Sequence, residues 1–293
     1  MTAFDRRVVA PRITALSILA LLASLLVVGP KADAHADPES LLDSNLLVTW
    51  YGNPHSSAMG VLGRQTGEAR VAALQRQAEA YAGLTDKCVL PAYHLVAVIA
   101  QPAPGRDGKW RRRESGDIIS RLLAEARANG FALILDVQPG RSTVRDEVAA
   151  LRPYLAEPEV HLALDPEFAM MEGQTPGRQI GTLRAADVNA ALDILTQIRG
   201  EYHLPPKVLI VHQFTLAMLP DKERIRTRRG IDLVLNMDGF GPPSLKRSSY
   251  HAIFRQRALP FAGFKIFYRQ DKTVMDPAAV MGLAPVPSVV IYQ

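Results

Sequence analysis

The sequence predicts an α/β fold consisting of a single (β/α)8 barrel. Two observations lead to this prediction. Short apolar runs, most of them closed by polar residues, recur eight times along the chain, and helical patterns of apolar residues separate most of them. Strands that are buried on both faces of a parallel sheet read as continuous apolar runs, and one parallel strand reaches the next only through a crossover. Eight such units close a sheet into a barrel.

Each element follows from its own residue pattern. Apolar runs predict strands at 46–51, 89–100, 131–137, 160–164, 208–211, 231–237, 261–267 and 288–292. Apolar residues spaced three and four apart predict helices at 71–81, 118–126, 144–155 and 188–198, and Gly130 and Gly200 lie where C-terminal helix caps are expected. Weaker patterns predict helices at 221–229, 244–257 and 274–281. An open doubly wound sheet is the structural alternative, although no glycine-rich phosphate turn follows the first strand.

The N-terminal segment is interpreted as a secretory signal peptide. Three arginines within the first twelve residues precede an apolar stretch at 13–28, and Ala-x-Ala cleavage sites follow it. The stretch is shorter than the roughly twenty residues that cross a bilayer, although an uncleaved anchor stays open as an alternative. The predicted organisation is a signal peptide at 1–34, a short linker at 35–44 and the barrel at 45–293. We therefore expect a secreted or cell-envelope protein with no stable membrane insertion after cleavage.

Composition limits the classes of function. The formal net charge of +5 is too small to indicate a nucleic-acid partner. Because Cys88 is the single cysteine, no intramolecular disulfide can form and stability must come from a hydrophobic core. The Walker phosphate loop, the Gly-x-Ser-x-Gly elbow and the His-Glu-x-x-His motif are absent from the sequence. We expect a monomer that requires no cofactor.

Polar residues follow the predicted strands at their carboxyl ends. In a barrel these ends meet at one mouth, where catalytic residues are found. The residues in question are Trp50, Tyr51, Gln101, Asp136, Gln138, Asp165, Glu167, His212, Gln213, Asp238, Tyr268 and Gln293. The local alternative is that individual members, such as Asp136 and Asp238, are helix caps or turn residues.

Two carboxylates at the end of the fourth predicted strand are the most informative motif. Asp165 and Glu167 are two positions apart, so in an extended strand they point to the same face. Two carboxyls that close together repel each other in their charged forms, which helps to keep one of them protonated. Asp136 ends the neighbouring strand, about 4.8 Å away, and could join them. Our hypothesis is a catalytic cluster of Glu167, Asp165 and Asp136 in which Glu167 donates the proton. The structural alternative is a solvated acidic strand end with a turn at Pro166.

The pair resembles the Asp-x-Glu that closes strand four in two families of barrel glycoside hydrolases, the chitinase-like family 18 and the muramidase-like family 25. The resemblance implies that Glu167 is the general acid and that Asp165 supports a neighbouring group or the charge developing on the sugar. It covers the overall layout and the strand-four pair. Val160 and Ala163 occupy the positions where the chitinase pattern has its first two aspartates, and Trp50 and Tyr51 replace the strand-one aspartate of the muramidase pattern.

A glycan or polysaccharide is the expected binding partner. Sugar rings have apolar faces that pack on aromatic side chains, and several aromatic residues lie near predicted strand ends. Trp110 follows a polar loop that has no hydrophobic core for its ring to pack against. An exposed tryptophan at this position would be suited to bind a glycan. The expected substrate-binding residues are Trp50, Tyr51, Trp110, Gln138, His212, Gln213, Asp238, Tyr268 and Gln293.

Two other functions stay open. A metal-dependent hydrolase could use imidazole and carboxylate ligands at the barrel mouth. The candidate ligands would be His94, His161, His212, Asp136, Asp165 and Asp238, although His161 falls at the opposite end of its strand from Asp165. A barrel that binds a glycan without cleaving it would explain the aromatic residues equally well. Bound metal would favour the first alternative, and binding without product would favour the second.

Overall fold

The computed structural model describes residues 39–256 and 259–293, so the predicted signal peptide lies outside the described residues. Eight parallel strands form a closed barrel, in which the last strand pairs with the first. These strands are β1 (Asn45–Gly52), β2 (Cys88–Ala100), β4 (Ala132–Val137), β5 (Val160–Leu164), β6 (Lys207–Gln213), β7 (Ile231–Met237), β8 (Phe261–Ile266) and β9 (Val289–Tyr292). The short strand β3 (Arg111–Arg113) pairs antiparallel with β2 outside the ring. The predicted (β/α)8 barrel is confirmed.

Helices follow most of the barrel strands, as predicted. They are α1 (Gly67–Glu79), α2 (Gly116–Ala128), α3 (Val144–Ala150), α4 (Arg152–Leu155), α5 (Ala185–Glu201), α6 (Pro243–Gln256) and α7 (Pro277–Met281). The predicted helix at 144–155 is divided in two at Leu151, and Pro153 lies in the first turn of the second half. None of the helices in the described part of the chain is long and apolar enough to cross a membrane.

The predicted helix at 221–229 was wrong. The segment contains only a 3-10 turn at Lys222–Arg224. Its sequence has one apolar residue, Ile225, among charged neighbours, so it has no apolar stripe to pack against the barrel. The Lys222 ammonium instead donates to the carbonyl of Ile253 at 2.8 Å, and that bond fixes the turn against α6.

The strands alternate between two hydrophobic layers. In β1, Leu46 and Val48 face outward and join the cluster that the barrel shares with its helices, which includes Leu74 of α1. Leu47 faces inward and joins a second cluster inside the barrel with residues such as Ile210. This alternation follows from the two-residue period of a strand. Each barrel strand therefore has positions that face the interior of the barrel, and side chains at those positions can lie at one end of that interior.

The amino end of the barrel is closed by the residues that precede β1. Leu42 is fully buried in the cluster inside the barrel. The carboxylate of Asp232, near the start of β7, accepts the backbone N–H groups of Leu41 and Leu42 at 2.7 and 2.9 Å. Part of the segment predicted as a linker at 35–44 therefore plugs the barrel.

Candidate active site

A cavity of about 640 Å³ opens at the carboxyl ends of the barrel strands. This volume lies within the usual range for small-molecule sites. Its walls combine carboxylates, lysines, amides and aromatic rings. The residues that line it include Tyr51, Gln138, Asp165, Glu167, Phe168, Phe214, Asp238, Phe240, Lys246, Lys265, Phe267 and Gln293.

The acidic pair enters the cavity from the end of β5. Asp165 caps a 3-10 turn at Pro166–Phe168, because its side chain accepts the backbone N–H of Glu167 at 3.2 Å. The fixed φ of Pro166 suits the first position of that turn. Asp165 is almost fully buried, whereas Glu167 is half-buried and within reach of a ligand. The local turn therefore places both carboxyls in one cavity.

Burial makes both members of the pair weaker acids than usual. Burial raises the pKa of Asp165 to about 8, and the carboxylates of Asp136, Asp238 and Glu167 add to this effect while His212 opposes it. Burial also raises the pKa of Glu167. A carboxyl that keeps its proton near neutral pH can act as a general acid.

Gln138 links the acidic pair to the first strand. Its side-chain amide donates to the Tyr51 hydroxyl at 3.3 Å and to Asp165 Oδ2 at 3.4 Å, and its amide oxygen accepts the backbone N–H of Ala100 at 3.1 Å. The strand pairing of β2 and β4 shifts register between Val96 and Val98, just before this point. The amide therefore fixes the position of Asp165 relative to Tyr51.

A row of charged and polar side chains leads from the wall of the cavity to the space beneath it, and we call it the buried row. It comprises Lys265, Asp238, His212, Asp136 and His94. Lys265 Nζ lies 3.0 Å from Asp238 Oδ1, and Asp238 Oδ2 lies 3.3 Å from His212 Nδ1. Asp136 Oδ2 lies 3.4 Å from His212 Nε2 and 3.4 Å from His94 Nε2. All five side chains are buried, so they interact in a medium that screens charge weakly.

The two imidazoles of the buried row differ in protonation. Burial lowers the pKa of His94 to about 4. Burial also acts to lower the pKa of His212, but the carboxylates of Asp238 and Asp136 outweigh it and raise the value to about 10. Burial opposes ionisation of Asp136, yet His212 and His94 hold its pKa well below the usual range. In the metal-free protein, His212 is therefore cationic and His94 neutral.

Several polar atoms of the buried row have no hydrogen-bond partner among the residues that the structure describes. They are both ring nitrogens of His94, both carboxylate oxygens of Asp136, Nε2 of His212 and Oδ1 of Asp238, of which the last lies in the salt bridge with Lys265. The imidazole and carboxylate ligand atoms of these three residues lie within 4.8 Å of one another. They are the group in the described ranges whose chemistry and placement suit a metal ion.

The second lysine of the cavity, Lys246 of α6, has a structural partner. Its ammonium lies 2.6 Å from Asp271 Oδ2 and donates to the carbonyl of Lys265 at 2.7 Å. Asp271 also accepts the backbone N–H groups of Phe267 and Gly241, each at 2.9 Å. This network holds the loops that follow β7 and β8, which carry two of the aromatic rings of the cavity, Phe240 and Phe267.

The structure brings together about half of the residues expected at the mouth. Tyr51, Gln138, Asp165, Glu167, Asp238 and Gln293 line the cavity. Asp136 and His212 lie beneath it in the buried row, and Asp136 contacts imidazoles rather than the acidic pair. The third carboxylate that shares the cavity with Asp165 and Glu167 is therefore Asp238.

Gln101 is half-buried outside the cavity, where its side-chain amide donates to the carbonyl of Ala100 at 3.0 Å. Four other expected residues also lie elsewhere. Trp50 points outward into the cluster beneath the helices, and Gln213 is buried where it donates to the carbonyl of Thr215 at 3.1 Å. The Tyr268 hydroxyl donates to Gln77 of α1 at 2.6 Å. Trp110 is half-buried beneath the guanidinium of Arg141, whose Cζ is 4.4 Å from the ring centroid. None of these four lines the cavity.

Sequence reasoning missed both lysines and the Phe214 and Phe267 rings. Lys265 could have been found, because it is the one charged residue inside the apolar run of β8 and its parity places it on the inward face. Lys246 lies on a helix and Asp271 on a distant loop, so no local pattern signals their pairing.

No protein-family model matches this chain, and no curated protein matches it. A barrel supports many unrelated reactions, so the fold by itself does not identify one. The side chains at the carboxyl end of the barrel are therefore the features that indicate its chemistry.

Proposed function

We propose that the protein is a secreted glycoside hydrolase that acts on a polysaccharide or cell-envelope glycan. The observation that carries the proposal is the presence, in one cavity, of two adjacent carboxyls with raised pKa and a third carboxylate in a salt bridge with a lysine. Glycoside hydrolysis needs one protonated carboxyl at the leaving oxygen and negative charge near the anomeric carbon. The cavity offers both.

Glu167 is the proposed proton donor. It is half-buried, so a bound sugar can reach it, while burial still raises the pKa of its carboxyl. Its proton would pass to the glycosidic oxygen as the bond to the anomeric carbon breaks. Water would then add at that carbon and release a proton, which restores the acid form of Glu167. Asp165 is itself largely protonated at neutral pH, so it serves better as a hydrogen-bond donor beside Glu167 than as a source of negative charge.

Asp238 is the proposed source of negative charge. It lines the cavity two barrel strands away from Asp165, and Lys265 contacts both of its oxygens, at 3.0 and 3.3 Å. A carboxylate oriented in this way can stabilise the positive charge that develops on the sugar ring in the transition state. The assignment gives Asp238 the role that the sequence analysis gave to Asp136.

The aromatic walls support a carbohydrate ligand. The Tyr51, Phe168, Phe214, Phe240 and Phe267 rings all line the cavity. They can cover the apolar faces of a sugar while Gln138 and Gln293 offer amide hydrogen bonds to its hydroxyl groups. A cell-envelope glycan is the proposed substrate class because the predicted signal peptide would export the protein to it.

The test compares Glu167→Gln with Glu172→Gln, an exposed acid five residues further along the chain. Reducing ends released from peptidoglycan, chitin oligosaccharides and other polysaccharides would be measured for both variants and the parent. We expect Glu167→Gln to lose at least about 100-fold in activity, since general acid catalysis contributes on that scale, and Glu172→Gln to match the parent. A fully active Glu167→Gln, or a parent that binds these glycans and releases no product, would refute the proposal.

A further inference from the structure

We propose that His94, Asp136 and His212 bind a divalent first-row transition metal ion beneath the floor of the cavity. Three different barrel strands, β2, β4 and β6, supply these ligands. The inference is independent of the glycoside hydrolase proposal, because the site lies below the cavity and none of its three residues lines it.

The distances between the ligand atoms suit a tetrahedral ion. Nε2 of His94 and Nε2 of His212 each lie 3.4 Å from Oδ2 of Asp136. An ion that binds nitrogen and oxygen at about 2.0–2.1 Å in tetrahedral geometry separates neighbouring ligand atoms by about 3.4 Å. A charge-assisted hydrogen bond would instead bring nitrogen and oxygen to about 2.7–2.9 Å. The spacing of the two pairs that include Asp136 Oδ2 therefore fits ligands around a shared centre, and all three ligand atoms lie within 4.8 Å of one another.

The same atoms lack any other partner. Among the described residues, Nδ1 of His94 and Oδ1 of Asp136 have no partner, and the other ligand atoms have only the 3.4 Å contacts with one another, although all three side chains are completely buried. Buried polar side chains nearly always have a partner, so this concentration of unpaired atoms calls for an explanation. Protons on Nε2 of His94 and of His212 would fill both contacts with Asp136 Oδ2, yet they would leave Nδ1 of His94 and Oδ1 of Asp136 unpaired. A metal ion satisfies all three residues at once.

The surroundings of His212 match those of a metal ligand. Its other nitrogen, Nδ1, lies 3.3 Å from Asp238 Oδ2, a carboxylate that Lys265 also contacts, and 3.3 Å from the side-chain amide nitrogen of Asn236. Metal-binding imidazoles usually donate their second N–H to a carboxylate, which leaves the opposite nitrogen free for the ion. The Tyr51 ring contacts both imidazoles, with centroids 5.0 Å from His94 and 6.1 Å from His212, and also lines the cavity. It forms the part of the cavity floor that covers the site.

The donor set selects the class of ion. Two imidazoles and one carboxylate suit zinc and its neighbours in the first transition row, whereas magnesium and calcium prefer oxygen ligands. Zinc is the ion that the tetrahedral spacing favours, and cobalt(II) is its spectroscopic substitute. Magnesium serves as the negative control.

The test uses the full chain, stripped with chelator and then titrated with Zn²⁺, Co²⁺ or Mg²⁺ while bound metal, heat of binding and thermal stability are measured. We expect one equivalent of Zn²⁺ with a raised Tm, visible absorption bands of four-coordinate Co²⁺, and no response to Mg²⁺. Asp136→Asn and His94→Gln should each weaken Zn²⁺ binding at least 10-fold. His161→Gln changes a buried barrel histidine outside the cluster and should bind as the parent does.

The unaltered chain keeps the test decisive even if a ligand variant fails to fold. Absence of stoichiometric Zn²⁺ and Co²⁺ binding by the stripped parent would overturn the proposal. Binding that Asp136→Asn and His94→Gln leave unchanged in folded protein would overturn it as well. Glycan cleavage that Glu167→Gln abolishes, by a parent that binds no Zn²⁺, would support the glycoside hydrolase proposal alone. Zn²⁺ binding by a parent that cleaves no glycan would support the metal site alone, so the two proposals can fail separately.

Discussion

The two ends of the barrel bury the same three kinds of side chain, histidine, lysine and aspartate, in different ways. At the amino end, His161 accepts the backbone N–H of Val208 at 3.2 Å and Asp232 accepts two backbone N–H groups. The Lys207 ammonium donates to the carbonyls of Glu157, Pro158 and Val160. Each of these side chains is bonded to the backbone. They complete the fold and leave no group free for chemistry.

At the carboxyl end, the same residue types contact one another instead of the backbone. Lys265, Asp238, His212, Asp136 and His94 form a continuous row of side-chain contacts, and several of its atoms lack hydrogen bonds. Such a row is costly for stability and is expected where function requires it. Burial of a charged residue therefore does not by itself indicate a functional site. Burial of a charged side chain that has no hydrogen bond to the backbone does indicate one.

The largest expected contrast is between the two buried lysines. Lys265→Met should destabilise the protein by about 1.5–3 kcal/mol, because it removes a charge-assisted contact of the buried Asp238 carboxylate and leaves His212 as its remaining cationic partner. It should also lower activity on a cleaved glycan by about 100-fold, because Asp238 loses the group that orients its charge. Urea unfolding and an activity assay corrected for the folded fraction would measure the two effects.

Lys207→Met is the control at the amino end. It should cost about 1–3 kcal/mol for each buried carbonyl left without a donor, yet folded protein should keep the parental activity. Equal losses of activity in the two lysine variants would mean that the ends of the barrel are not functionally different.

The second contrast concerns the pH dependence of stability, measured with chelator present so that the protein is metal-free. The pKa of Asp165 is raised to about 8, whereas an unfolded aspartate titrates near about 3.9. Between these values the native chain holds a proton that the unfolded chain has released. The free energy of unfolding therefore falls as pH rises through this window, by up to about 1.4 kcal/mol per pH unit. Asp165→Asn removes this contribution.

The variant should consequently gain stability relative to the parent from about pH 4 to about pH 8, and the difference should level off above that range. Urea unfolding at several pH values measures it. The variant retains the titratable groups that face Asp165, which are Asp136, Asp238, Glu167 and His212. Their contribution to the pH dependence of stability is therefore largely the same in both proteins and cancels in the comparison. Glu172→Gln, which alters an exposed acid, should keep the parental slope. Parallel curves for Asp165→Asn and the parent would show that Asp165 ionises normally.

The strands could be predicted well from the sequence because their signal is local. Continuous apolar runs identified all eight barrel strands, and the polar residues after them located the mouth. The helix predicted at 221–229 failed because its pattern was weak and the segment has no apolar stripe to pack against the barrel. Local patterns thus define the barrel more reliably than its weaker outer segments.

The site was predicted only in part, because membership depends on side-chain direction and on distant partners. Trp50 and Tyr51 are consecutive in β1, so the alternation of a strand allows only one of them to face the interior, and it is Tyr51. In the same way, His212 and Gln213 are consecutive in β6, so only one of them can face the interior, and it is His212. The contact of Asp136 with His94 and His212 joins three strands, and no sequence spacing encodes it.

The third contrast is between two buried histidines, again in metal-free protein. His161→Leu removes the acceptor of a buried N–H and should cost about 1–3 kcal/mol at neutral pH. His94→Leu removes an imidazole that has no hydrogen bond, so it should cost less than about 1 kcal/mol or stabilise the protein. Urea unfolding of both variants provides the comparison. A larger loss for His94→Leu would indicate that its contact with Asp136 stabilises the metal-free fold.

The smallest contrast compares two exposed apolar side chains at opposite ends of the barrel. Phe240, 60% exposed, lies on the cavity wall, and Val286, 55% exposed, precedes β9 at the amino end. Since both side chains are largely in water, either change to alanine should alter stability by less than about 0.5 kcal/mol. Phe240→Ala should nevertheless weaken glycan binding severalfold, because it removes an apolar surface for a sugar ring, whereas Val286→Ala should leave binding unchanged. Calorimetric titration with the glycan that the parent cleaves would separate them, and equal affinities would remove Phe240 from the proposed binding surface.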